Sequence, residues 1–589
     1  MKNFILLLAL LITFSGIAQN LETKIPSDAQ IVVGVDGEKL LELINLDEFN
    51  SLSIVKKLLT EAKVDKIEDL GFDLNQKIYY FNQLINEKYY NTFLLYLSDS
   101  KKIKNLLDIK EEIETVNGFN FAKKNKYAIS WNDKMLIITM VSETNNTYGD
   151  SNSVINNNDE PTEEVVEESA VEEITEEPIE KTKEDVSIEV VEENTEKNKN
   201  KTQKQLLKKQ ILSIIATNYN NSIAANNSYK SGKESKSSVY FWMKNYSNSM
   251  MDLLKRFPKK GIASYSLMPK NIIGITSVNS NLFFNKDEIK LIGEASLTDE
   301  MKTRSKKMYH SKLDCSFFKY FNQDDILAYM GYSVRMKAIL DEYPKIMKEI
   351  YGSTMPKYKE EISAATDVIS VLLDEKAISK LITGDALLIL NDIKEEDISY
   401  TTYEYDNDYK RTKIIKTKKE TLPIFTVMLG SENKEIIQKL VRLGIKYKVA
   451  EENNRILKFD KTKFKSPFDL YFVMQGDIAF ITNSKSQIDK ISRKQVKRNT
   501  GKHKRILRKN LLSFYINSDK IIERLPKDKF GNKNETVIAL IKEDFKEMEF
   551  SYSRVKHGKF YVKQVIKTNE NKDNSLKLLF NLIEQISHL

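Results

Sequence analysis

An acidic, polar segment interrupts this chain of 589 residues and limits how the rest can fold. Between Asp159 and Glu196, seventeen Asp or Glu residues stand against two lysines, a net charge of about −15. The flanking sequence is rich in Asn, and its valines are too sparse to form an apolar face. Such a composition cannot bury enough apolar surface to offset the entropy lost on ordering. We therefore predict a disordered Glu-rich linker over residues 143–204.

The linker divides the chain into two folded parts. We expect an N-terminal α+β module at 19–142 and a C-terminal α+β region of repeated modules at 205–589. A hydrophobic content of 41% is sufficient for both parts to form cores. For the linker itself, two roles are open: a passive spacer extended by self-repulsion, or an intramolecular anion that covers a basic surface.

The first eighteen residues have the pattern of a secretory signal peptide. Lys2 precedes the apolar run Phe4–Phe14, and Gly16-Ile17-Ala18 provides small side chains for cleavage before Gln19. No later stretch is long and apolar enough to span a bilayer, so no transmembrane segment is expected after cleavage. The pattern predicts an exported protein that is periplasmic, outer-membrane-associated or extracellular.

The single cysteine, Cys315, excludes an internal disulfide, so packing must stabilise the exported chain. Its neighbours Phe317 and Phe318 predict a buried, structural thiol, with a reactive thiol as the alternative.

Two sequence units recur. The first has an apolar strand, a polar turn and a helix, with Asp36, Ser333 or Ser518 at the capping position. Its copies lie at Ser27–Ile44, Gln323–Leu340 and Arg508–Leu525, with a looser copy at Ser238–Leu254. The second unit, a strand, a Ser-containing turn and a helix, occurs at Thr92–Leu107 and Ile424–Leu440.

Hairpins accompany these units. Ala128–Thr139 and Tyr471–Thr482 have matching lengths, with turns predicted at Asn132-Asp133 and Gly476-Asp477. Further strand pairs are predicted at 281–297, 398–415 and 548–566. The predicted fold class is α+β, with repeated strand–helix–hairpin modules and largely antiparallel sheets.

Four stretches of the chain resemble a family. They are IPSDAQIVVGVDGEKLLEL from Ile25, GFDLNQKIYYF from Gly71, GDALLILND from Gly384 and YEYDNDY from Tyr403. Together they resemble an exported, uncharacterised Bacteroidota family, domain of unknown function 4836. The resemblance implies an envelope or secreted protein of repeated α+β modules, without catalytic residues to carry over.

Candidate catalytic and metal-binding residues are few. The histidines His310, His503, His557 and His588 never occur at metal-ligand spacing, and we interpret them as surface or loop residues. Lys233 lacks the first glycine of a phosphate-binding loop, and the alternating carboxylates of Glu404, Asp406 and Asp408 lack the pattern of a calcium loop. No catalytic residue, cofactor or metal is predicted.

The segment Lys485–Lys509 is strongly basic, with eleven Lys or Arg residues and one acid. Its local positive potential attracts anions over about 8–10 Å. No aromatic residue occurs from 481 to 513, so nucleic acid is not expected. A solvated basic face, an anionic envelope component and the chain's own acidic linker are the alternatives. The candidate anion-binding residues are Arg493, Lys494, Lys497, Arg498, Lys502, Lys504 and Arg505.

These observations favour an exported cell-envelope protein with a non-enzymatic binding or scaffold role. The alternative is a secreted or periplasmic hydrolase whose site is assembled from residues distant in sequence. The expected partner is an anionic envelope component or an envelope protein. The closing helix, predicted over Asn574–Ser587, is expected to pack in a core.

Overall fold

The computed structural model confirms the α+β class, with 37% helix and 39% strand. It describes residues 20–107, 112–124, 126–143, 185–244, 274–309, 312–405, 410–464, 466–525, 544–569 and 574–587. The signal peptide predicted at 1–18, His310, Asp406, Asp408 and His588 lie outside the described residues, as does the greater part of the predicted linker.

Twenty strands form one sheet, and every strand pair is antiparallel. The strands are β1 Ile31–Asp36, β2 Lys77–Ile85, β3 Lys88–Tyr96, β4 Glu114–Val116, β5 Phe119–Lys124, β6 Tyr127–Trp131, β7 Met135–Glu143, β8 Val239–Lys244, β9 Ile275–Phe284, β10 Glu288–Leu297, β11 Ala328–Ser333, β12 Asp385–Tyr405, β13 Arg411–Gly430, β14 Ala450–Asn453, β15 Ile456–Phe459, β16 Leu470–Gln475, β17 Ile478–Thr482, β18 Asn510–Asn517, β19 Phe545–Ser553 and β20 Lys559–Thr568.

The pairing order of β1–β10 is the same as that of β11–β20. From one edge, the first ten strands run β4-β5-β6-β7-β3-β2-β1-β8-β9-β10. Strand β10 then pairs with β20 at the centre, and the order continues β19-β18-β11-β12-β13-β17-β16-β15-β14. We call the region of β1–β10 the first half and the region of β11–β20 the second half.

Helices occupy the connections between strands. They are α1 Gly37–Leu41, α2 Leu46–Ser51, α3 Ser53–Ala62, α4 Asp185–Ala216, α5 Asn227–Ser231, α6 Asp299–Met308, α7 Met336–Thr354, α8 Lys359–Leu372, α9 Glu375–Leu381, α10 Lys434–Lys446, α11 Lys485–Ser492, α12 His503–Lys509, α13 Ser518–Arg524 and α14 Ser575–Ser587. Short 3₁₀ helices include Ser100–Leu106 and Cys315–Tyr320. No helix among the described residues is both long and apolar enough to cross a bilayer.

The chain segments on either side of the linker share a core. Helix α4 begins at Asp185, before the predicted boundary at 205, and its Leu207, Ile211 and Ile214 are buried. These side chains pack in one cluster with residues of β2, β7 and β8, including the fully buried Trp242. Strand β1 also pairs with β8 along Ile31–Val35. The linker is therefore an insertion between two strands of the first half.

Helix α14 confirms the prediction that the closing helix packs in a core. Its Leu576 is buried, and Leu579 and Phe580 join a cluster with Leu52 and Val55 of the first half. The rings of Phe580 and Phe49 meet edge to face at 6.3 Å, and Lys577 forms an ion pair of 2.8 Å with Glu48. The end of the chain thus covers α2 and α3.

The predicted local strands and hairpins agree with the structure, but two of the predicted helix caps are wrong. Asp36 caps α1 as expected, accepting a hydrogen bond from the backbone N–H of Lys39. Ser518 lies one residue too late, because Asn517 caps α13 through the backbone N–H of Lys520. Ser333 is buried and donates its hydrogen bond to Asp385, so it is unavailable to α7.

Candidate interaction surface

The predicted basic segment forms two short helices joined by an exposed turn. Helix α11 buries Ile488 and Ile491, and helix α12 buries His503 and Leu507, so apolar residues anchor both ends. Between them the chain turns through Lys494, whose φ is 57°. This arrangement directs the intervening lysines and arginines towards solvent.

The structure separates the seven candidate anion-binding residues into two groups. Lys502 forms an ion pair of 2.8 Å with Glu547, and the Lys504 ammonium lies 5.8 Å from the ring centroid of Phe318. The other five are exposed and make no ion pair with a described residue: Arg493, Lys494, Lys497, Arg498 and Arg505. These five keep the capacity to bind an anion, whereas Lys502 and Lys504 already have partners.

The interpretation of His503 as a surface residue is wrong. Its ring is buried, its Nδ1 lies 3.1 Å from the hydroxyl of Tyr329, and Tyr515 packs against it at 4.6 Å between ring centroids. Burial, together with the nearby charge of Lys502, lowers the pKa of His503 to about 4. The imidazole is therefore neutral near pH 7. His557, in contrast, is exposed in the turn between β19 and β20.

Glu547 completes the polar network beside His503. It accepts hydrogen bonds from the Tyr515 hydroxyl at 2.9 Å and from the ammonium of Lys502 at 2.8 Å, and Lys567 lies 3.0 Å away. Burial raises the pKa of Glu547, but these hydrogen bonds outweigh burial and lower the pKa to about 2. The carboxylate is thus a fixed, compensated charge inside the second half.

A second buried network lies in the first half around Lys233. Its ammonium contacts Glu22 Oε1, which also accepts hydrogen bonds from the hydroxyls of Tyr79 at 2.8 Å and Tyr229 at 3.1 Å. Burial lowers the pKa of Lys233 to about 8. Lys233 therefore stabilises a buried acid; the sequence around Gly232 did not indicate this role, because Glu22 is distant along the chain.

The described residues do not form a catalytic site with a serine or cysteine nucleophile. The prediction of a buried Cys315 is wrong: the residue is exposed at the start of its 3₁₀ helix, while Phe317 and Phe318 turn inwards. No described hydrogen bond joins a serine to a histidine, since Ser333 bonds to Asp385 and His503 to Tyr329. The described residues also contain no cluster of His, Cys, Asp or Glu able to hold a metal ion.

A cleft in the second half is lined mainly by charged side chains. It has a volume of about 500 Å³ and is lined by Lys307, Lys345, Glu342 and residues of α7 and α9. Glu342 is buried and lies 3.1 Å from Lys307 and 3.6 Å from Lys345. With Asp341 and Glu375, the lining has three acids against two lysines, so opposite charges are nearly balanced in the cleft.

Exposed apolar side chains are concentrated in one region of the protein. Among the described residues, nineteen of the twenty-five large apolar or aromatic side chains that are exposed lie between 343 and 464. On α8, Val371 is 85% and Leu372 is 78% exposed. Val368, Ile369, Val371 and Leu372 lie within two turns of α8, and an exposed apolar cluster of this kind is typical of interaction sites. We call the exposed faces of α8 and α10 the apolar helix surface.

Helix α10 contributes the second part of this surface. No residue of α10 is buried, although Ile436, Leu440 and Leu443 follow helical spacing. Leu440 is 55% exposed, and Tyr447, which follows the helix on the same face, is 63% exposed. The apolar stripe therefore faces solvent instead of the sheet.

Strands β12 and β13 add a two-stranded ribbon. Beyond Leu390 and before Thr426 they pair only with each other among the described strands. The ribbon exposes Tyr403 and Ile415, and the Arg411 guanidinium lies 3.5 Å from the ring centroid of Tyr403. The first-half counterparts β2 and β3 have nine residues each, against 21 and 20 here. The candidate carboxylate Glu404 pairs with Lys416 at 2.9 Å.

Comparisons with known proteins found solved structures of low similarity. No family model and no curated protein matches the chain. Among solved structures, it is similar to crystal form I of TP0453, with 9% identity over 48% of this chain and 80% of that chain and a TM-score of 0.24. Crystal form III of TP0453 gives 8% identity over 50% and 87%, also with a TM-score of 0.24. A similarity this low carries no argument about fold or function.

Proposed function

We propose that this chain is an exported, non-enzymatic binding or scaffold protein of the cell envelope, and that it binds its partner through the second half. The observation that carries the proposal is the concentration of exposed apolar side chains between 343 and 464. Exposed apolar clusters on a protein surface often mark the places where a partner covers them. The ribbon of β12 and β13 supplies a further unpaired strand edge, which is a common element of protein recognition.

Export rests on the signal-peptide pattern. The proposed mature protein begins at Gln19 and resides in the periplasm, at the outer membrane or outside the cell. Intact-mass measurement of the protein recovered from cell fractions tests this directly, and recovery of Met1 in a cytoplasmic fraction would contradict it.

We also infer that the two halves are internal repeats. The support is the shared pairing order of ten strands in each half, together with the matching sequence units at Thr92–Leu107 and Ile424–Leu440. After a duplication, one copy can keep its apolar side chains buried, where they stabilise the fold. The other copy can expose apolar side chains at the equivalent positions to a partner. The exposed α8 and α10 belong to this second copy.

The proposed partner is an envelope protein or an anionic envelope component. Next to Leu372, Asp374 and Glu375 supply acidic charge, which suits a basic or neutral protein surface, whereas Asp367 forms an ion pair of 2.8 Å with Lys348. The five exposed cations near Arg493 suit an anion.

Site-specific photo-crosslinking in living cells tests the proposal. A photoreactive residue at Tyr358 or Val371 in the second half is expected to capture an envelope component. The matched control is the same residue at Leu84 or Phe93, which are exposed strand positions of the first half. Equal capture from both halves, or capture of cytoplasmic proteins only, would contradict the proposal.

A further inference from the structure

We propose that helix α10, with Tyr447 and Phe464 beside it, docks on the surface of an anionic lipid bilayer. This inference rests on the proposed function and names a partner for one part of the apolar helix surface. It concerns residues 434–464, which the sequence alone did not single out as a binding site.

The apolar component of the site is a stripe along one face of α10. Leu440 and Leu443 are three residues apart and Tyr447 follows four residues later, so all three project from the same side of the helix. Their exposed fractions are 55%, 48% and 63%. Helices that lie in a membrane interface bury such a stripe among the upper acyl chains while their axis stays parallel to the surface.

The charged component borders the same stripe. Helical periodicity places Lys439, Arg442 and Lys446 along one side of it. Lys439 forms an ion pair of 2.6 Å with Glu435, whereas Arg442 and Lys446 form no ion pair with a described residue. Cations next to an exposed apolar stripe complement a bilayer that carries anionic headgroups.

An aromatic side chain on a neighbouring loop extends the surface. The ammonium of Lys463 donates hydrogen bonds to the carbonyl oxygens of Tyr447 at 2.9 Å and Lys448 at 2.7 Å. These bonds hold the loop against the carboxyl end of α10, and Phe464 on this loop is 52% exposed. Aromatic rings favour the level of the headgroups, where one part is apolar and the other polar.

The equivalent connection in the first half shows that this exposure is not imposed by the topology. Between β3 and β4 the chain forms the 3₁₀ helix Ser100–Leu106, whose Ile103 is completely buried. The connection between β13 and β14 occupies the same position in the sheet order but buries no residue of its helix. The neighbouring charges favour a bilayer as the partner of α10. Basic residues border the stripe of α10 and suit anionic headgroups, whereas α8 has acidic neighbours, which suit a protein.

Co-sedimentation of the mature full-length protein with vesicles tests the proposal. We expect binding to vesicles of phosphatidylcholine with 30% phosphatidylglycerol, and much weaker binding to pure phosphatidylcholine. The variant Leu440→Ser/Leu443→Ser should lose about tenfold or more in apparent affinity, because two partly exposed leucines no longer enter the bilayer. The variant Arg442→Gln/Lys446→Gln should bind less and lose part of its salt dependence.

Matched controls separate this site from other surfaces. Leu84→Ser/Phe93→Ser removes two exposed apolar side chains from the first half and should leave vesicle binding unchanged. Lys56→Gln/Lys57→Gln removes two exposed cations from α3 in the first half and should also leave vesicle binding unchanged. In a Tyr447→Trp variant, the emission of the new tryptophan should shift to shorter wavelength with the anionic vesicles only.

Two results would overturn the proposal: absence of vesicle binding, or binding that survives Leu440→Ser/Leu443→Ser but is lost in an Arg493→Gln/Lys494→Gln variant. If a photoreactive residue at Tyr358 still captured an envelope protein in that case, the lipid assignment alone would fail. If neither vesicles nor envelope components were bound, the proposed function would fail as well.

Discussion

The connections that follow the third strand of each half show how one topology can serve two purposes. After β3, a short 3₁₀ helix buries Ile103 against Leu95, Ala122 and Trp131. After β13, helix α10 buries no residue and exposes Leu440. The sheet order is the same, so pairing does not decide whether a connecting helix contributes to the core. The difference lies in where its apolar side chains point.

The connections after the seventh strand differ in charge. In the first half, the acidic linker begins after β7; in the second half, the basic segment Lys485–Lys509 follows β17. Both connections lead to the strand that pairs with the opening strand of the same half, β8 with β1 and β18 with β11. Equivalent positions in the two halves therefore carry opposite charge.

The helices after the tenth strand differ in how they pack. Helix α14 follows β20 and packs through Leu576 and Phe580. Helix α6 follows β10 and packs against α7 through ion pairs, in which Arg304 contacts Glu342 and Glu349. Apolar contacts stabilise the first pair of elements, and charge pairing stabilises the second.

We expect the largest difference in the free energy of unfolding between variants of the two connections after the third strand. Ile103→Ala should lower the free energy of unfolding by about 2–5 kcal/mol, because it leaves a cavity in a closed cluster. Leu440→Ala should change it by less than about 0.5 kcal/mol, because the side chain is already exposed. Urea denaturation of both variants measures the difference, and equal losses would show that α10 belongs to the core.

The next comparison uses the helices after the tenth strand. Leu576→Ala should cost about 2–4 kcal/mol whatever the salt concentration. Arg304→Met should cost about 1–2 kcal/mol in dilute buffer and less in 0.5 M NaCl, because screening weakens partly exposed ion pairs. Paired denaturation curves at the two salt concentrations check this. A salt-sensitive cost for Leu576→Ala would contradict the assignment of an apolar contact.

Acid should destabilise the second half through His503. The pKa of His503 is lowered from 6.5 to about 4 in the folded chain. Between these values the unfolded chain binds a proton that the folded chain does not, so the free energy of unfolding falls as the pH falls from 6.5 to 4. The loss should reach about 2–3 kcal/mol.

The variants His503→Gln and His557→Gln test this pH dependence. Removing the buried ring at 503 should flatten the stability profile in this window, whereas removing the exposed ring at 557 should not. Identical profiles for the two variants would assign the acid sensitivity to other groups.

The smallest effect concerns the linker. Brief proteolysis should cut first between 142 and 201, because loose polar segments are preferred cleavage sites. Since β1 pairs with β8 and α4 shares the first core, the two fragments should remain associated and unfold together. Size-exclusion chromatography of the nicked protein checks this. Separation of the fragments without denaturant would contradict the shared core and show that the two parts fold independently.

Local sequence predicted much of the fold but little of the long-range arrangement. Alternating apolar residues predicted hairpins such as Tyr471–Thr482, where Gly476 takes a φ of 62° in the turn. The pairing of β1 with β8 and of β11 with β18 joins residues about two hundred positions apart, and no local pattern encodes such a contact. Local spacing also could not reveal that Asp385 would compete for the hydroxyl of Ser333.

The candidate sites were less predictable for the same reason. Charge density identified Arg493 and its neighbours, but only the structure showed that Lys502 is paired with Glu547. The burial of His503 depends on Tyr329 and Tyr515, of which Tyr329 is remote in sequence. The exposure of α10 was missed because apolar helical spacing predicts a buried face, and the signal that could have distinguished it is the row of lysines and arginines bordering that face.

Hydrogen exchange of the mature full-length protein, with and without vesicles containing 30% phosphatidylglycerol, tests most directly the claim that the second half carries the binding surface. We predict slower exchange in 434–464 on vesicle addition and unchanged exchange in 100–106. Protection confined to 493–505, or protection in 100–106 equal to that in 434–464, would contradict it.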